Sequence, residues 1–125
     1  MDQTVRPSVP LLLPSFAAEL RLALQDDGRE DLADQVGTLA AFGRCSCDDD
    51  FCASFYTDLR PGRPWEDLGE YSCVPLNVPT GMVVLDVVDA RIRFVEVLDR
   101  PDVKQVVETW AKAVPPDSLA NDSGT

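Results

Sequence analysis

The sequence predicts a single α+β domain: two N-terminal helices, a four- or five-stranded antiparallel sheet of hairpins, and a C-terminal helix packed on the sheet. Three observations predict it. Apolar residues recur at helical spacing at both ends, as Phe16, Leu20, Ala23 and Leu24, and as Val103, Val106, Val107, Trp110 and Val114. Between them, two stretches alternate with period two around short turns. A chain of 125 residues with 45% apolar side chains is long enough to bury one real core, and only one.

The first fourteen residues carry Pro7, Pro10 and Pro14 and read as a flexible segment, extended on the surface or disordered. Residues 15–114 form the domain, and residues 115–125 are a polar, disordered tail. Ser15 suits an N-cap, with Glu19 in the first turn complementing the helix dipole. Asp26-Asp27-Gly28 ends this helix, Gly28 being free to take a left-handed cap. A second helix from about Arg29 to Val36 buries Leu32, Ala33 and Val36, and Gly37 stops it. It carries Glu30, Asp31 and Asp34, which would repel phosphate, so the two helices are no DNA-reading pair.

Arg44 to Tyr56, RCSCDDDFCASFY, holds three of the four cysteines and the densest acidic run. Asp48, Asp49 and Asp50 are turn formers between a strand from Leu39 to Cys47 and a strand from Phe51 to Tyr56. A two-residue turn at Asp48-Asp49 sets Cys45 opposite Cys52. A four-residue turn from Asp48 to Phe51 sets Cys47 there instead, and a three-residue turn places Ser46 there. The cysteines have three readings. They are core thiols, or a four-thiolate structural zinc site of Cys45, Cys47, Cys52 and Cys73, or a redox pair. C-x-C-x4-C is neither the paired knuckle spacing of zinc sites nor the C-x-x-C of thioredoxin-like chemistry, so core thiols are favoured and no cofactor is expected.

Residues 58–80 are dense in Pro and Gly, which predicts an irregular, contact-making loop. Trp65 is either an exposed anchor for a partner or, as favoured, a lid whose indole packs on the sheet. Tyr71 to Val78 suits a short edge strand, since Pro75 and Pro79 are excluded from a central one. Gly81 to Asp99 predicts the central hairpin, with Asp89-Ala90 as a two-residue turn. That turn pairs Val87 with Ile92, Leu85 with Phe94, Val84 with Val95 and Asp86 with Arg93. Asp99 then caps the last helix, with Pro101 in its first turn and Pro115-Pro116 after its end.

The segments Asp31-Leu32-Ala33-Asp34-Gln35-Val36, Arg44-Cys45-x-Cys47, Phe51-Cys52-Ala53-x-Phe55-Tyr56-Thr57, Gly81-Met82-Val83-Val84-Leu85-Asp86-Val87, Arg91-Ile92 and Val95-Glu96-Val97-Leu98 together resemble a family of small proteins of unknown function from GC-rich actinobacteria. The resemblance covers most of residues 15–100 and departs from the wider set at Asp48-Asp49-Asp50, where that set has Gly-Cys. It implies a fold and a cytoplasmic origin, and no activity. Nine Arg against two Lys fits a GC-rich genome.

Charge and composition narrow the function classes. At a net charge of −11, with no basic stretch, the chain is no binder of nucleic acid or of an anionic membrane. Val9-Pro10-Leu11-Leu12-Leu13 is too short and interrupted for a signal peptide, which points to the cytoplasm and reduced thiols. There is no histidine and no phosphate-binding loop, so catalysis is not expected. The expectation is a non-enzymatic interaction or accessory protein. One version is an acidic, immunity-type inhibitor presenting Asp48, Asp49, Asp50 and Asp58 to a basic partner, with Trp65 as a further contact. The alternatives are a zinc or thiol redox module, and a homodimer through a sheet edge or Trp65.

Overall fold

A computed structural model describes residues 6–45, 49–59 and 61–113. It has the expected α+β architecture: α1 (Val9–Leu12), α2 (Pro14–Asp26), α3 (Glu30–Val36), β1 (Gly43–Arg44), β2 (Phe55–Tyr56), a 3-10 turn (Trp65–Asp67), β3 (Tyr71–Leu76), β4 (Met82–Val88), β5 (Arg91–Leu98) and α4 (Pro101–Ala113). The five strands form one antiparallel sheet in the order β1-β2-β5-β4-β3.

All four helices contribute to one apolar cluster on one face of the sheet. Phe16, Leu20 and Leu24 of α2, Leu32 and Val36 of α3, and Val103 and Val107 of α4 pack with Phe55, Val83, Leu85, Val95 and Val97. Val106 and Trp110 pack against this cluster half-buried, so the α4 stripe is a core face as its spacing predicts. Val114 lies outside the described residues. Gly28, at φ +75°, ends α2 in the left-handed conformation its position predicts.

The N-terminal segment differs from the expectation over residues 6–14. Proline at the start of a helix has no intrahelical hydrogen bond to lose, so the prolines open helices here. Pro10 is the second residue of α1 and Pro14 begins α2, ahead of the Ser15 cap expected from sequence. Val9 is wholly buried, its amide donating to the Leu39 carbonyl at 2.8 Å, and the Ala41 amide donates to the Pro7 carbonyl at 2.8 Å.

The central hairpin turns at Asp89 and Ala90, both at positive φ (52° and 66°), as a two-residue loop between twisted strands requires. Val87 pairs with Ile92 as expected. Beyond it the register shifts by one residue at a bulge, so that Asp86 opposes Phe94, Leu85 opposes Val95 and Val84 opposes Glu96. The expected pairs Leu85–Phe94, Val84–Val95 and Asp86–Arg93 are therefore not formed. The physical reason is burial. Without the extra residue Glu96 would stand opposite Val83, under the helices, and Val95 would face out. The bulge at Arg93 returns Val95 and Val97 to the core face and puts Phe94 and Glu96 on the other.

The two edges of the sheet differ. β1 is two residues long and lies against α4. β3 is six residues long and is the other edge, as its prolines predict. The Asp89 amide donates to the Glu70 carbonyl at 2.9 Å, which makes Ser72, Val74 and Leu76 the residues bonded to β4. The backbone groups of Tyr71, Cys73 and Pro75 then point outward, where the missing N–H of proline breaks no ladder bond.

Asp99 does not cap α4. It sits at φ +60°, and the cap position falls to Arg100, whose carbonyl accepts from the Lys104 amide at 2.9 Å. Arg100 is buried and bonds Glu19 of α2 through both terminal nitrogens (2.9 and 3.1 Å), Asp102 (3.0 and 3.1 Å) and the Thr80 carbonyl (3.3 Å). Glu19 thus joins two helices instead of serving a dipole.

Candidate functional site

The cysteine hairpin is shorter than expected. Gly43 opposes Tyr56 and Arg44 opposes Phe55, and the Cys45 amide donates to the Ser54 carbonyl at 2.9 Å. Cys45 therefore opposes Ser54, which sets aside its pairing with Cys52. Ser46, Cys47 and Asp48 lie outside the described residues, and with them the position opposite Cys52. Ser54 explains why β2 is short. Its buried hydroxyl accepts the Val97 amide at 2.9 Å, a bond that a strand carbonyl would otherwise supply. The Cys52 thiol in turn donates to the same hydroxyl at 3.3 Å. Asp49 and Asp50 are exposed at the hairpin tip.

Among the described residues, Cys73 is not brought to Cys45 or Cys52. It lies on β3, opposite Asp86 of β4, which opposes Phe94 of β5, which opposes Tyr56 of β2. Three interstrand spacings amount to roughly 14 Å, whereas thiolates on one zinc ion stand about 2.3 Å from the metal. Cys73 is therefore too far from Cys52 to share one ion with it, Cys47 lies outside the described residues, and among the described residues no three Cys, Asp or Glu side chains gather to hold an ion. Beside the exposed Cys73, the Tyr71 hydroxyl donates to Asp86 Oδ1 at 2.9 Å. Burial, then that hydrogen bond and the Asp86 charge, push the Tyr71 phenol well above its ordinary range.

Asp58 is separated from the acidic tip. Phe51 and Cys52 lie beside Asp99 and Leu98, at the end of β5, while Thr57 bonds Arg93 near its start. Asp58 is about three-quarters buried and paired with Arg93 at that far end. Trp65 is half-buried, its ring 6.3 Å from Tyr56, which in turn packs 4.6 Å from Phe94. This is the lid arrangement. The 3-10 turn that carries Trp65 lies on β4, on the sheet face away from the helices.

The lid covers only part of that face. Directly opposed residues share a face, which gives rows across the strands. Tyr56, Phe94, Asp86 and Cys73 form the row beside the lid. Glu96, Val84 and Pro75 form the next, and Cys52, Leu98 and Met82 the last, at the end of the sheet that carries the acidic tip. Met82 is 52% exposed and Phe51, at the tip, 49%. Among the described residues, the open half of the face is thus an apolar surface with one carboxylate, Glu96, in its middle and Asp49 and Asp50 at its rim. Glu96, Met82, Val84 and Leu98 escaped the sequence reading because an unbroken register puts Val95, not Glu96, opposite Val84. Glu96 between Val95 and Val97 was the available signal, since a carboxylate inside an apolar run fixes which parity must face out.

Comparison with models of known protein families, with curated proteins and with solved structures finds no match to this chain. Among the described residues no helix is long and apolar enough to cross a membrane.

Proposed function

We propose that this chain is a non-enzymatic, cytoplasmic interaction protein that seats a basic segment of a partner protein on the open half of its sheet. The observation that carries this reading is Glu96. Its carboxylate stands half-exposed between Val84, Leu98 and Met82, with no basic partner among the described residues. An apolar surface with a central carboxylate favours a segment offering both apolar side chains and a positive charge. Asp49, Asp50 and the net charge of −11 add long-range steering toward such a partner. An inhibitor that covers the basic surface of a toxin or nuclease is one form of this function. The absence of histidine from the sequence supports a binding role over catalysis.

The test is affinity capture from cells that carry the gene, at low and high salt, with three variants. Glu96→Lys and Met82→Lys should lose the partner that the wild type retains. Leu22→Lys, on the exposed side of α2, should retain it. A partner held equally by all three, or held undiminished in high salt, removes this reading.

A further inference from the structure

At the end of the sheet remote from the open face lies a cavity of about 350 Å³, within the size range of small-molecule sites. α3, the lead into β1, the end of β2 and the start of β5 border it, and it is open to solvent. Leu39, Phe42 and Ile92 supply apolar walls, and Thr57, Asp58 and Arg91 supply polar ones. The walls are fixed by bonds within the fold. The Gln35 side chain donates to the Ala90 carbonyl at 2.6 Å and accepts the Ile92 amide at 3.0 Å, as a neighbouring strand would. The Thr57 hydroxyl donates to the Ile92 carbonyl at 2.8 Å. A ligand therefore meets a preformed surface, with little ordering to be done on binding.

Charge selects the ligand class. The carboxylate of Asp58 is bonded to Arg93 and so is already neutralised. Arg91 is exposed, lines the cavity and makes no ion pair among the described residues. Arg6 stacks 4.6 Å from the Phe42 ring and donates to the Phe42 carbonyl at 3.0 Å. The nearest acid along the strand, Asp89, turns its carboxylate to the Glu70 amide at 2.9 Å. Arg93 is thus spent on Asp58, and Arg91 is the lining cation that no carboxylate of the described residues neutralises. Asp31, on the α3 wall, is paired with Arg29, and remoter carboxylates are screened over a Debye length of about 8 Å at physiological salt, which leaves Arg91 as the unpaired charge of the lining. We propose that this cavity binds a small organic anion: an apolar or aromatic body against Phe42, Leu39 and Ile92, with its carboxylate on Arg91.

Titration of the labelled full chain, followed by NMR chemical shifts, tests this with benzoate and its cationic isostere benzamidine. Benzoate should shift Phe42, Thr57 and Ile92 saturably, with a Kd on the order of a millimolar for so small a probe. Benzamidine should not shift them. Arg91→Gln, at an exposed position that leaves the core intact, should weaken benzoate roughly tenfold. Three results would each overturn the proposal: benzamidine binding as well as benzoate, Arg91→Gln binding unchanged, or benzoate shifting residues elsewhere. Shifts confined to Met82, Val84 and Leu98 would instead identify the open sheet face as the anion's site, against both proposals.

Discussion

The Arg93 guanidinium holds the Asp58 carboxylate where β5 begins and β2 ends. Arg93 is the extra residue of the bulge, so its side chain leaves the row that Asp86 occupies. Asp86 is left to Tyr71. Both side chains are about three-quarters buried, at 24% exposure each. A double-mutant cycle with Asp58→Asn and Arg93→Met should return a coupling of about 1–2 kcal/mol by urea unfolding. A coupling indistinguishable from zero would mean that the pair merely sits together.

The bulge makes Val95 and Glu96 unequal in a direct way. Glu96→Val should change stability by less than about 0.5 kcal/mol, because the position is on the open face. Val95→Glu should cost more than about 3 kcal/mol, since it puts an unpaired carboxylate among the helices. Equal costs for the two variants would contradict the shifted register.

Gly81 is at φ +72°, and a Cβ there would come within 2.6 Å of the Leu98 carbonyl oxygen. Gly81→Ala should cost about 2 kcal/mol or more, from the strained backbone and the clash together. Gly37 has negative φ and open space around it. Gly37→Ala should be neutral or stabilising by up to about 0.5 kcal/mol, so the pair of thermal melts isolates the Gly81 effect.

Hydrogen bonds from Arg100 hold the Asp102 carboxyl below the usual carboxylate range. A group whose folded value is depressed adds stability above its unfolded value, about pH 4, and loses it as pH falls through the folded value. Arg100→Met should lower stability at pH 7 by about 2–3 kcal/mol, chiefly by stranding Glu19. The gap between variant and wild type should narrow as pH falls below about 4.

Tyr71 behaves in the opposite sense. Its folded value is raised, so its contribution is complete below the unfolded value, about pH 10, and is lost as pH rises beyond it. Spectrophotometric titration should show a phenol that resists ionisation until the protein unfolds. That phenol should vanish in Tyr71→Phe. A Tyr71 that ionises near pH 10 in the folded protein would break the bond to Asp86 as described.

Periodicity carried most of the fold. The α4 stripe, the burial of Leu32, Ala33 and Val36, the Asp89-Ala90 turn and the edge position of Pro75 each follow from a local rule that tertiary structure did not override. The departures have non-local causes. Nothing near Arg93 announces a bulge except the need to keep Glu96, three residues on, out of the core. Val9 looks like part of a loose proline-rich segment until the Leu39 carbonyl supplies its amide with a partner. The candidate face was hidden for the same reason as the bulge, because its rows exist only in the shifted register. Asp49 and Asp50 were legible as an exposed acidic tip, whereas Asp58 belonged to an ion pair that no spacing predicts.

The most direct test of the open sheet face is an NMR map of the labelled chain with a short helical peptide of leucine and lysine. Saturable shifts are expected at Met82, Val84, Glu96 and Leu98, spreading to Asp49 and Asp50, weakened by added salt and abolished by Glu96→Lys. Shifts centred instead on Leu11 and Leu22 of the helical layer, or the same shifts in Glu96→Lys, would contradict this expectation.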